Sequence, residues 1–493
     1  MRGDELMSRL ARIAASPPDW GLAPGGTITG ITADSRAVMP GMIFAALPGT
    51  VPGVGADGRR FIGDAVARGA AAILAPSGTL WPPGIPPRPL LIEADPRRRL
   101  AEIAAALAGP MPRCITAITG TNGKTSTAEF LRQIIAMPGT PAASLGTLGL
   151  IAPDLGASAS APGASLTTPD PVVLAATLAR LKAAGIDHVA LEASSHGLDQ
   201  SRLDGLRLAG AGFTNLTRDH LDYHGDLSGY RAAKLRLFGA LLSRGAPALA
   251  MADLDRETLA ALRVLRPDVA TVGEGGSAID LLAARPTPQG QTLTIKAGGR
   301  RHEIVLPLPG RFQADNALLA AGLARALGFD GAFEQLAMLT PVRGRLERAG
   351  VLANGAAVYV DYAHTPDALE RLLGALRPHA TGRLILVFGA GGDRDRGKRP
   401  LMGAVAARAA DVAIVTDDNP RSEAPAAIRA EIMVSCPEAL EIGDRRAAIE
   451  AGVGMLRPGD VLAVAGKGHE QGQTIGDAVL PFDDAAVVRA LLA

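Results

Sequence analysis

Residues 114–135 read "CITAITGTNGKTSTAEFLRQII". An apolar strand, "CITAIT", runs into Gly-Thr-Asn-Gly-Lys-Thr and then into a helical stretch. That is the strand–loop–helix setting of a phosphate-binding loop. Backbone N–H groups around Gly120 and Gly123 can cradle phosphate oxygens at the helix N-terminus. In such a loop Lys124 reaches the outer phosphates and the Thr125 hydroxyl ligates Mg²⁺. The full G-x-x-x-x-G-K-[ST] pattern places Gly at position 118, where this chain has Ile118. A plain Gly turn with a solvated lysine is the competing explanation, and the flanking strand and helix argue against it. None of the five asparagines precedes a lysine, so the Asn-Lys-x-Asp base-reading element of switch GTPases is absent. The loop by itself implies a bound nucleotide and leaves its use open.

With 493 residues the chain is long enough for two to four domains. Its 47% hydrophobic and 20% charged residues describe an ordinary globular protein. A formal net charge of +1 gives no electrostatic case for nucleic acid or an anionic membrane surface. The two cysteines, Cys114 and Cys436, form no disulfide framework and fit a reducing cytosol. "MRGDELMSRLARIAAS" mixes both charge signs in a short helical pattern, unlike a secretory signal. No uncharged apolar stretch is long enough to span a membrane. These features predict a cytoplasmic protein with no membrane insertion.

Strand-like pieces in residues 1 to about 110 ("GTITGITADS", "GMIFAAL", "AAAILAP") are interrupted by the Pro-rich "LWPPGIPPRPL", which reads as a surface loop. A boundary falls near residue 110, before "CITAIT". From there to about 340, strands such as "HVALEAS" and "AGAGFTN" alternate with helices such as "PDPVVLAATLARLKAAG", which predicts a mostly parallel sheet flanked by helices. A second boundary falls at "LTPVRGRLERAG", residues 339–350. Beyond it, strand "AAVYVDYA", a helix from Pro366, strand "RLILVFGA", a helix after Pro400, and strands "DVAIVTDD" and "DVLAVAGKG" form another α/β unit with loops at the strand ends.

Several loops offer side chains for chemistry. Glu192 ends an apolar strand, a natural place for a metal-binding carboxylate beside a phosphate loop. "TRDHLDYHGD" crowds Asp219, His220, Asp222 and His224 together; on their own a metal site and a polar turn are equally good readings. Lys234 in "YRAAKLRLF" looks like a solvated helical lysine. "VFGAGGDRDRG" is not a dinucleotide fingerprint, because Arg394 stands where the third glycine belongs. It is a Gly-rich loop presenting Asp393, Arg394 and Asp395. "DDNPRSE" and "GKGHEQ" also follow strands, so Arg394, Asp418, Arg421 and Glu470 can share a rim suited to a zwitterion. Structural turns and salt bridges explain those residues equally well.

Taken in order, "DSR" (34–36), "TGTNGKTS" (119–126), "TTPDP" (167–171), "EASSHGLDQSRL" (192–203), "TNLTRDHLDYHGD" (214–226), "YRAAKLRLF" (230–238), "DNA" (315–317), "PVRGRLE" (341–347), "DYAHTPDAL" (361–369), "GGDRDRGKRP" (391–400), "DNPR" (418–421) and "GKGHE" (466–470) resemble the Mur ligase family over nearly the whole chain. These are ATP-dependent amide-forming enzymes of peptidoglycan precursor synthesis. The set looks most like the MurE type, which extends UDP-N-acetylmuramoyl-L-alanyl-D-glutamate, in its meso-2,6-diaminopimelate-adding subtype. The resemblance implies an α/β protein of three domains. Residues 1–110 would hold the UDP-muramoyl substrate. Residues 111–340 would form a P-loop ATPase-like parallel-sheet domain, and residues 341–493 a Rossmann-like domain for the incoming amino acid. In this family the loop without a glycine at Ile118 is the ordinary form.

The resemblance also implies site residues. Gly120, Thr121, Asn122, Gly123, Lys124, Thr125 and Ser126 would bind the ATP phosphates, with Asn316, Arg345 and Asp361 holding the nucleotide. Glu192 and His220 would bind a second Mg²⁺, and Lys234 would carry a CO₂-derived carbamate that replaces a cation with oxygen ligands. Thr125, Glu192, His220 and carbamylated Lys234 are thus the implied metal ligands. Lys124, Lys234, Glu192 and His220 are the implied catalytic group. Ser35, Thr167, Thr168, Ser194, Gln200 and Arg202 align with residues that hold the UDP-muramoyl-dipeptide. The residues before Ala56 depart from the His-Gln common in the family. Arg394, Asp418, Asn419, Pro420, Arg421, Gly466 and Glu470 would form the diaminopimelate pocket, "DNPR" being the mark of that subtype.

The implied reaction proceeds through an acyl phosphate that an amine then captures, which calls for domain closure to exclude water. The expected partners are small molecules: ATP, UDP-muramoyl-dipeptide and meso-diaminopimelate. A monomer is expected. The competing readings are a lysine-adding MurE, a folylpolyglutamate-type ligase, and a nucleotide-binding regulator without catalysis. Intact Lys124, Glu192, His220 and Lys234 speak against the regulator.

Overall fold

The computed structural model describes residues 1, 3–10, 27–49, 57–153, 155, 166–287 and 289–492. Residues 11–16 of the N-terminal helical pattern and the departure before Ala56 lie outside these. The chain divides into two compact units, Met1–Ile279 with Leu318–Ala332 and Asp280–Ala317 with Phe333–Ala493.

In the first unit, strands Gly30–Thr32, Met42–Ala45, Ala72–Pro76 and Leu90–Glu93 pair in sequence order, all parallel. They read as continuous apolar runs because both faces are covered. Ile43, Ala45 and Leu74 pack with Leu100 and Ile103 of helix Pro96–Ala108. Phe44 and Ile73 pack with Ile62 and Val66 of helix Ile62–Ala67. The longer helix starts where Asp95 accepts the Arg98 N–H at 3.0 Å and Pro96 takes the first turn, where no N–H is needed. The Pro-rich stretch is a loop, pinned by the Trp81 indole N–H donating to Ile85 O at 3.0 Å.

The same unit contains a second sheet. Strand Cys114–Thr119 lies between His188–Glu192 and Leu208–Phe213. Ala142–Gly146 extends the sheet on the first side, and Ala248–Met251 then Ala270–Gly273 on the other, all parallel. The antiparallel turn-back Gly149–Ile151 pairs with Ala142–Gly146. The chain leaves strand 114–119 towards Ala142–Gly146 on one side and leaves the adjacent Leu208–Phe213 towards Ala248–Met251 on the other, so the loop after Thr119 sits at the switch point, where α/β sheets bind ligands. Leu174, Leu178 and Leu181 of helix Pro171–Ala183 bury their apolar stripe against this sheet, with Phe213 and Phe238.

In the second unit, strands Glu347–Val351, Ala357–Asp361, Val461–Ala465, Leu384–Phe388, Val412–Val415 and Leu440–Glu441 form a sheet in that spatial order. All pairs are parallel except the first. Leu369, Leu373, Met402 and Ile432 cover one face; Ile449 and Val488 cover the other. The helix expected after Pro400 begins at Lys398. Proline is tolerated in a first turn, whose N–H groups have no helical acceptor. Two further antiparallel features escaped the sequence pattern. Gly290–Ala297 pairs with Arg300–Leu306, and hairpin Gly472–Ile475/Ala478–Pro481 follows the last parallel strand. No helix among the described residues is long and apolar enough to cross a membrane.

Candidate active site

The phosphate loop is short because strand 114–119 persists through Ile118, which is fully buried and registers with Glu192 on one side and Gly212 on the other. A strand residue therefore occupies the place of the first glycine in longer loops. Gly120 has φ 144°, and a Cβ there would meet Thr214 Oγ1 at 1.9 Å. Gly123 caps the helix Lys124–Ala136 in the left-handed region, at φ 83°. The loop is braced by neutral partners from the next strand end. Thr121 N donates to Asn215 O, and Asn122 N to Asn215 Oδ1, both at 2.9 Å. Thr214 Oγ1 donates to Asn122 O at 2.6 Å. Lys124 Nζ curls onto the loop, donating to Gly120 O at 3.0 Å and Thr121 O at 2.8 Å.

Glu192 is 2% exposed and accepts from Thr125 Oγ1 at 3.0 Å, Thr147 N at 2.8 Å and Thr147 Oγ1 at 3.2 Å. All three of these donors are neutral. Gly146 makes room for it, since a Cβ there would approach Glu192 Oε1 to 2.0 Å. A buried carboxylate beside a threonine hydroxyl is an oxygen donor set that suits a hard cation.

Lys234 is 1% exposed. Its Nζ donates to Gly120 O at 2.7 Å and lies 4.4 Å from the Tyr230 ring centroid. No carboxylate pairs with it among the described residues. Burial drives its ammonium well below the usual lysine range, and the Lys124 charge pushes the same way. The solvated lysine of the helical pattern is therefore an interior one, and its burial disfavours the charged form. Tyr230 links it to the loop through its hydroxyl, 3.2 Å from Thr121 Oγ1.

His220 is half exposed at φ 52°, its Nε2 3.5 Å from Asp219. Its ring is 4.9 Å from His196 and 6.3 Å from Tyr230. Among the described residues no three His, Cys, Asp or Glu side chains converge as a ready metal site. Thr125 and Glu192 are brought together, and His220 lies on the turn that precedes helix Leu221–His224. The sequence did not single out His196. Burial, reinforced by the charges of His220 and His224, lowers it to about 4.

Thr168, Ser194, Gln200 and Arg202 form one chain of contacts. Thr168 Oγ1 donates to Glu192 O at 2.9 Å and lies 3.0 Å from Ser194 Oγ. Arg202 donates to Thr168 O at 2.6 Å and Gln200 Oε1 at 2.7 Å. Thr167 Oγ1 is 3.1 Å from Thr147 Oγ1. Ser35 opens a short 3-10 turn after the strand Gly30–Thr32.

In the second unit the parallel strands end on one edge and bring their loops together. Asp361 accepts from Leu346 N at 2.7 Å and Ala363 N at 2.8 Å. Burial raises its carboxyl despite the Arg345 charge. Arg345 stacks 4.7 Å from the Tyr362 ring. Asn316 is buried near the start of helix Arg311–Ala326. Arg421 adopts φ 50°, with its N donating to Thr474 O at 3.1 Å and its O accepting from Gly476 N at 2.8 Å. Its Nη1 donates to Gly392 O at 2.7 Å. Asn419 Nδ2 donates to Glu470 Oε2 at 2.8 Å, and fully buried Lys467 reaches both residues. Gly466, at φ 115°, lets Asp418 approach: a Cβ would fall 2.5 Å from Asp418 Oδ2. Pro420 is buried between the loops and Arg394 is exposed. Lys467 and the hairpin residue Thr474 were not foreseen. The "GKGHE" run pointed to the first; nothing local pointed to the second.

Fold and loop define a P-loop α/β protein that works with a nucleotide. The Mur ligase middle domain matches residues 118–324, and the Mur ligase glutamate ligase domain matches residues 344–468. A protein of Caulobacter vibrioides named UDP-N-acetylmuramoyl-L-alanyl-D-glutamate–2,6-diaminopimelate ligase is 55% identical over 466 residues, 93% of this chain and 94% of its own. A solved structure of a ligase with that name is 32% identical, with a TM-score of 0.69, covering 99% of this chain and 98% of that one. A MurF ligase from Thermotoga maritima in complex with ADP shares the fold at 18% identity and TM-score 0.61, covering 90% and 94%. This chain belongs to the Mur ligase family, and within it to the MurE type.

Proposed function

We propose that this chain is an ATP-dependent ligase that adds meso-2,6-diaminopimelate to the D-Glu of UDP-N-acetylmuramoyl-L-alanyl-D-glutamate in peptidoglycan precursor synthesis. The observation that carries the energy-coupling half of this reading is Lys234. It is buried, without a carboxylate partner among the described residues, on the carbonyl of the phosphate loop's first glycine. Residues 1–110 hold the UDP-muramoyl end, 111–340 the ATP and 341–493 the incoming amino acid. The protein works in the cytoplasm as a monomer on small molecules alone.

Gly120 to Ser126 wrap the ATP phosphates, and Lys124 exchanges its loop carbonyls for phosphate oxygens. Asn316, Arg345 and Asp361 hold the rest of the nucleotide. Thr125 and Glu192, together with His220, would hold Mg²⁺, which when bound would offset charge on the phosphates and on the transferring phosphoryl group. The depressed Lys234 amine suits addition of CO₂, and the carbamate would supply anionic oxygens where an ammonium stood. Ser35, Thr167, Thr168, Ser194, Gln200 and Arg202 orient the UDP-muramoyl-dipeptide. The D-Glu γ-carboxylate attacks the γ-phosphorus, releasing ADP and leaving an acyl phosphate. The amine of diaminopimelate attacks that acyl carbon, loses a proton and displaces phosphate.

Arg421 grips the distal carboxylate through paired charge-assisted bonds, and Arg394 grips another. Asp418, Asn419, Pro420, Gly466 and Glu470 complete that pocket. Lysine lacks the distal carboxylate and leaves Arg421 unpaired. Purified protein given UDP-muramoyl-dipeptide, ATP, Mg²⁺ and each amino acid in turn should release phosphate with diaminopimelate. Equal turnover with lysine would sink the assignment of substrate.

A further inference from the structure

Arg399 belongs to no group described above, yet its side chain is fully buried at the start of helix Lys398–Ala409. A buried guanidinium needs its donors satisfied, and the partners here are informative. Nη1 donates to Glu423 Oε2 at 2.9 Å and Nη2 to Glu423 Oε1 at 2.8 Å, a fork-to-fork pair. Nη1 also reaches Glu431 Oε2 at 2.8 Å, in helix Pro425–Met433, and Nη2 lies 3.3 Å from Gly391 O. Glu423 in turn accepts from Asp393 N at 2.6 Å. Asp393 closes the circuit, accepting from Ser422 Oγ at 2.6 Å and Ser422 N at 3.1 Å. Gly392 N donates to Asn419 O at 2.9 Å. The Gly-rich loop and the "DNPR" turn are thus laced together, with Arg394 exposed on one and Arg421, whose Nη1 donates to Gly392 O, on the other.

We infer that Arg399, through its fork onto Glu423 and its contact with Gly391 O, is a positioning residue for amino-acid selection. It ties together the two loops that carry Arg394 and Arg421, so that each arginine is presented to one carboxylate of the same diamino diacid. The inference rests on the substrate assignment proposed above. It adds that the presentation of the two arginines is set by a group that touches no substrate. Lysine at position 399 keeps the charge but loses the fork, so the loops keep their fold and lose this tie between them.

The test compares Arg399→Lys and Glu423→Gln with the unaltered protein in phosphate-release kinetics, with diaminopimelate and with lysine. The expected result is a diaminopimelate KM raised about ten-fold or more in the Lys variant, as loss of a charge-assisted bond implies. The KM values for ATP and UDP-muramoyl-dipeptide should stay within about two-fold, and the preference for diaminopimelate over lysine should fall. Glu423→Gln should move the same quantities in the same direction, and it carries the test if the Arg399 variant does not fold. An unchanged diaminopimelate KM and preference in a folded variant overturns the inference, as does an equal rise in all three KM values. If the unaltered protein is inert towards diaminopimelate, the substrate assignment fails and the positioning role goes with it. Turnover by the unaltered protein with unchanged variants removes the positioning role alone.

Discussion

Lys234 and Glu192 are two buried ionisable side chains beside the phosphate loop, and neither makes an ion pair among the described residues. Keeping an unpaired ammonium inside the protein costs stability, which is why burial depresses its ionisation. Lys234→Met removes that cost while keeping the length of the side chain. The unfolding midpoint at neutral pH should therefore stay or rise, while phosphate release should fall at least about a hundred-fold. A variant that loses stability and activity together would show that Lys234 serves the fold. Arg421 makes the opposite kind of contribution. Its left-handed backbone is held by Thr474 O and Gly476 N, so Arg421→Ala should leave the turn in place. The diaminopimelate KM should rise about ten-fold or more with the ATP KM unchanged; an unchanged diaminopimelate KM removes Arg421 from the pocket.

At the scale of elements, two contacts decide how strands present their ends. Gly146 ends the strand beside Glu192 and leaves only the space the carboxylate fills. Gly146→Ala should push Glu192 off Thr125 and Thr147, raising the Mg²⁺ concentration for half-maximal activity about ten-fold. Titration of phosphate release with Mg²⁺ checks this. Asp460 starts the strand Val461–Ala465 by accepting from Arg383 N at 2.7 Å, Arg383 Nη2 at 2.6 Å and Arg457 N at 3.0 Å. Burial would raise its carboxyl, but the Arg383 side chain and the two backbone N–H groups outweigh it and hold it at about 2. A carboxylate depressed in the folded state stabilises above its unfolded value and loses that stabilisation as pH falls towards the folded one. Asp460→Asn should cost about 1–2 kcal/mol at neutral pH, within the range of a charge-assisted bond. The difference from the unaltered protein should close between about pH 4 and pH 2, as read in denaturant unfolding.

For the whole molecule, the phosphate loop and the arginine rim belong to different compact units, and under the proposed function the two chemical steps divide along the same line. Lys124→Ala should abolish formation of the acyl phosphate, detected by hydroxylamine trapping with ATP and UDP-muramoyl-dipeptide alone. Arg421→Ala should still form it. A variant at Arg421 that loses the trapped product would show that the rim acts before the amine arrives. The ordering of these steps follows from the chemistry: an amine cannot displace a carboxylate oxygen until phosphorylation has made it a leaving group.

Much of this was legible along the chain. The spacing Gly120 to Thr125 marked the phosphate loop because backbone N–H groups a few residues apart must converge on one anion. Glu192 was marked by its place at the end of an apolar strand, and the rim loops by theirs, because parallel strands deliver their ends to one edge. From the local pattern Lys234 and Arg399 were not legible; only the family resemblance pointed to Lys234. Each reads as an ordinary helical cation, and what makes it unusual is burial against partners distant in sequence. The Gly120 carbonyl is 114 residues from Lys234, and the Glu423 carboxylate is 24 residues from Arg399. Thr147, Thr214 and Asn215 gave no signal either, since a neutral side chain announces a role only when something lies within hydrogen-bond reach. The sequence by itself determined which backbone segments could bind phosphate and where the strand-end loops would lie, because those follow from local hydrogen bonding and hydrophobic period. Only the tertiary structure decided which charges are removed from water and which loops are tied together, because desolvation and ion pairing depend on the packing of segments far apart in the chain.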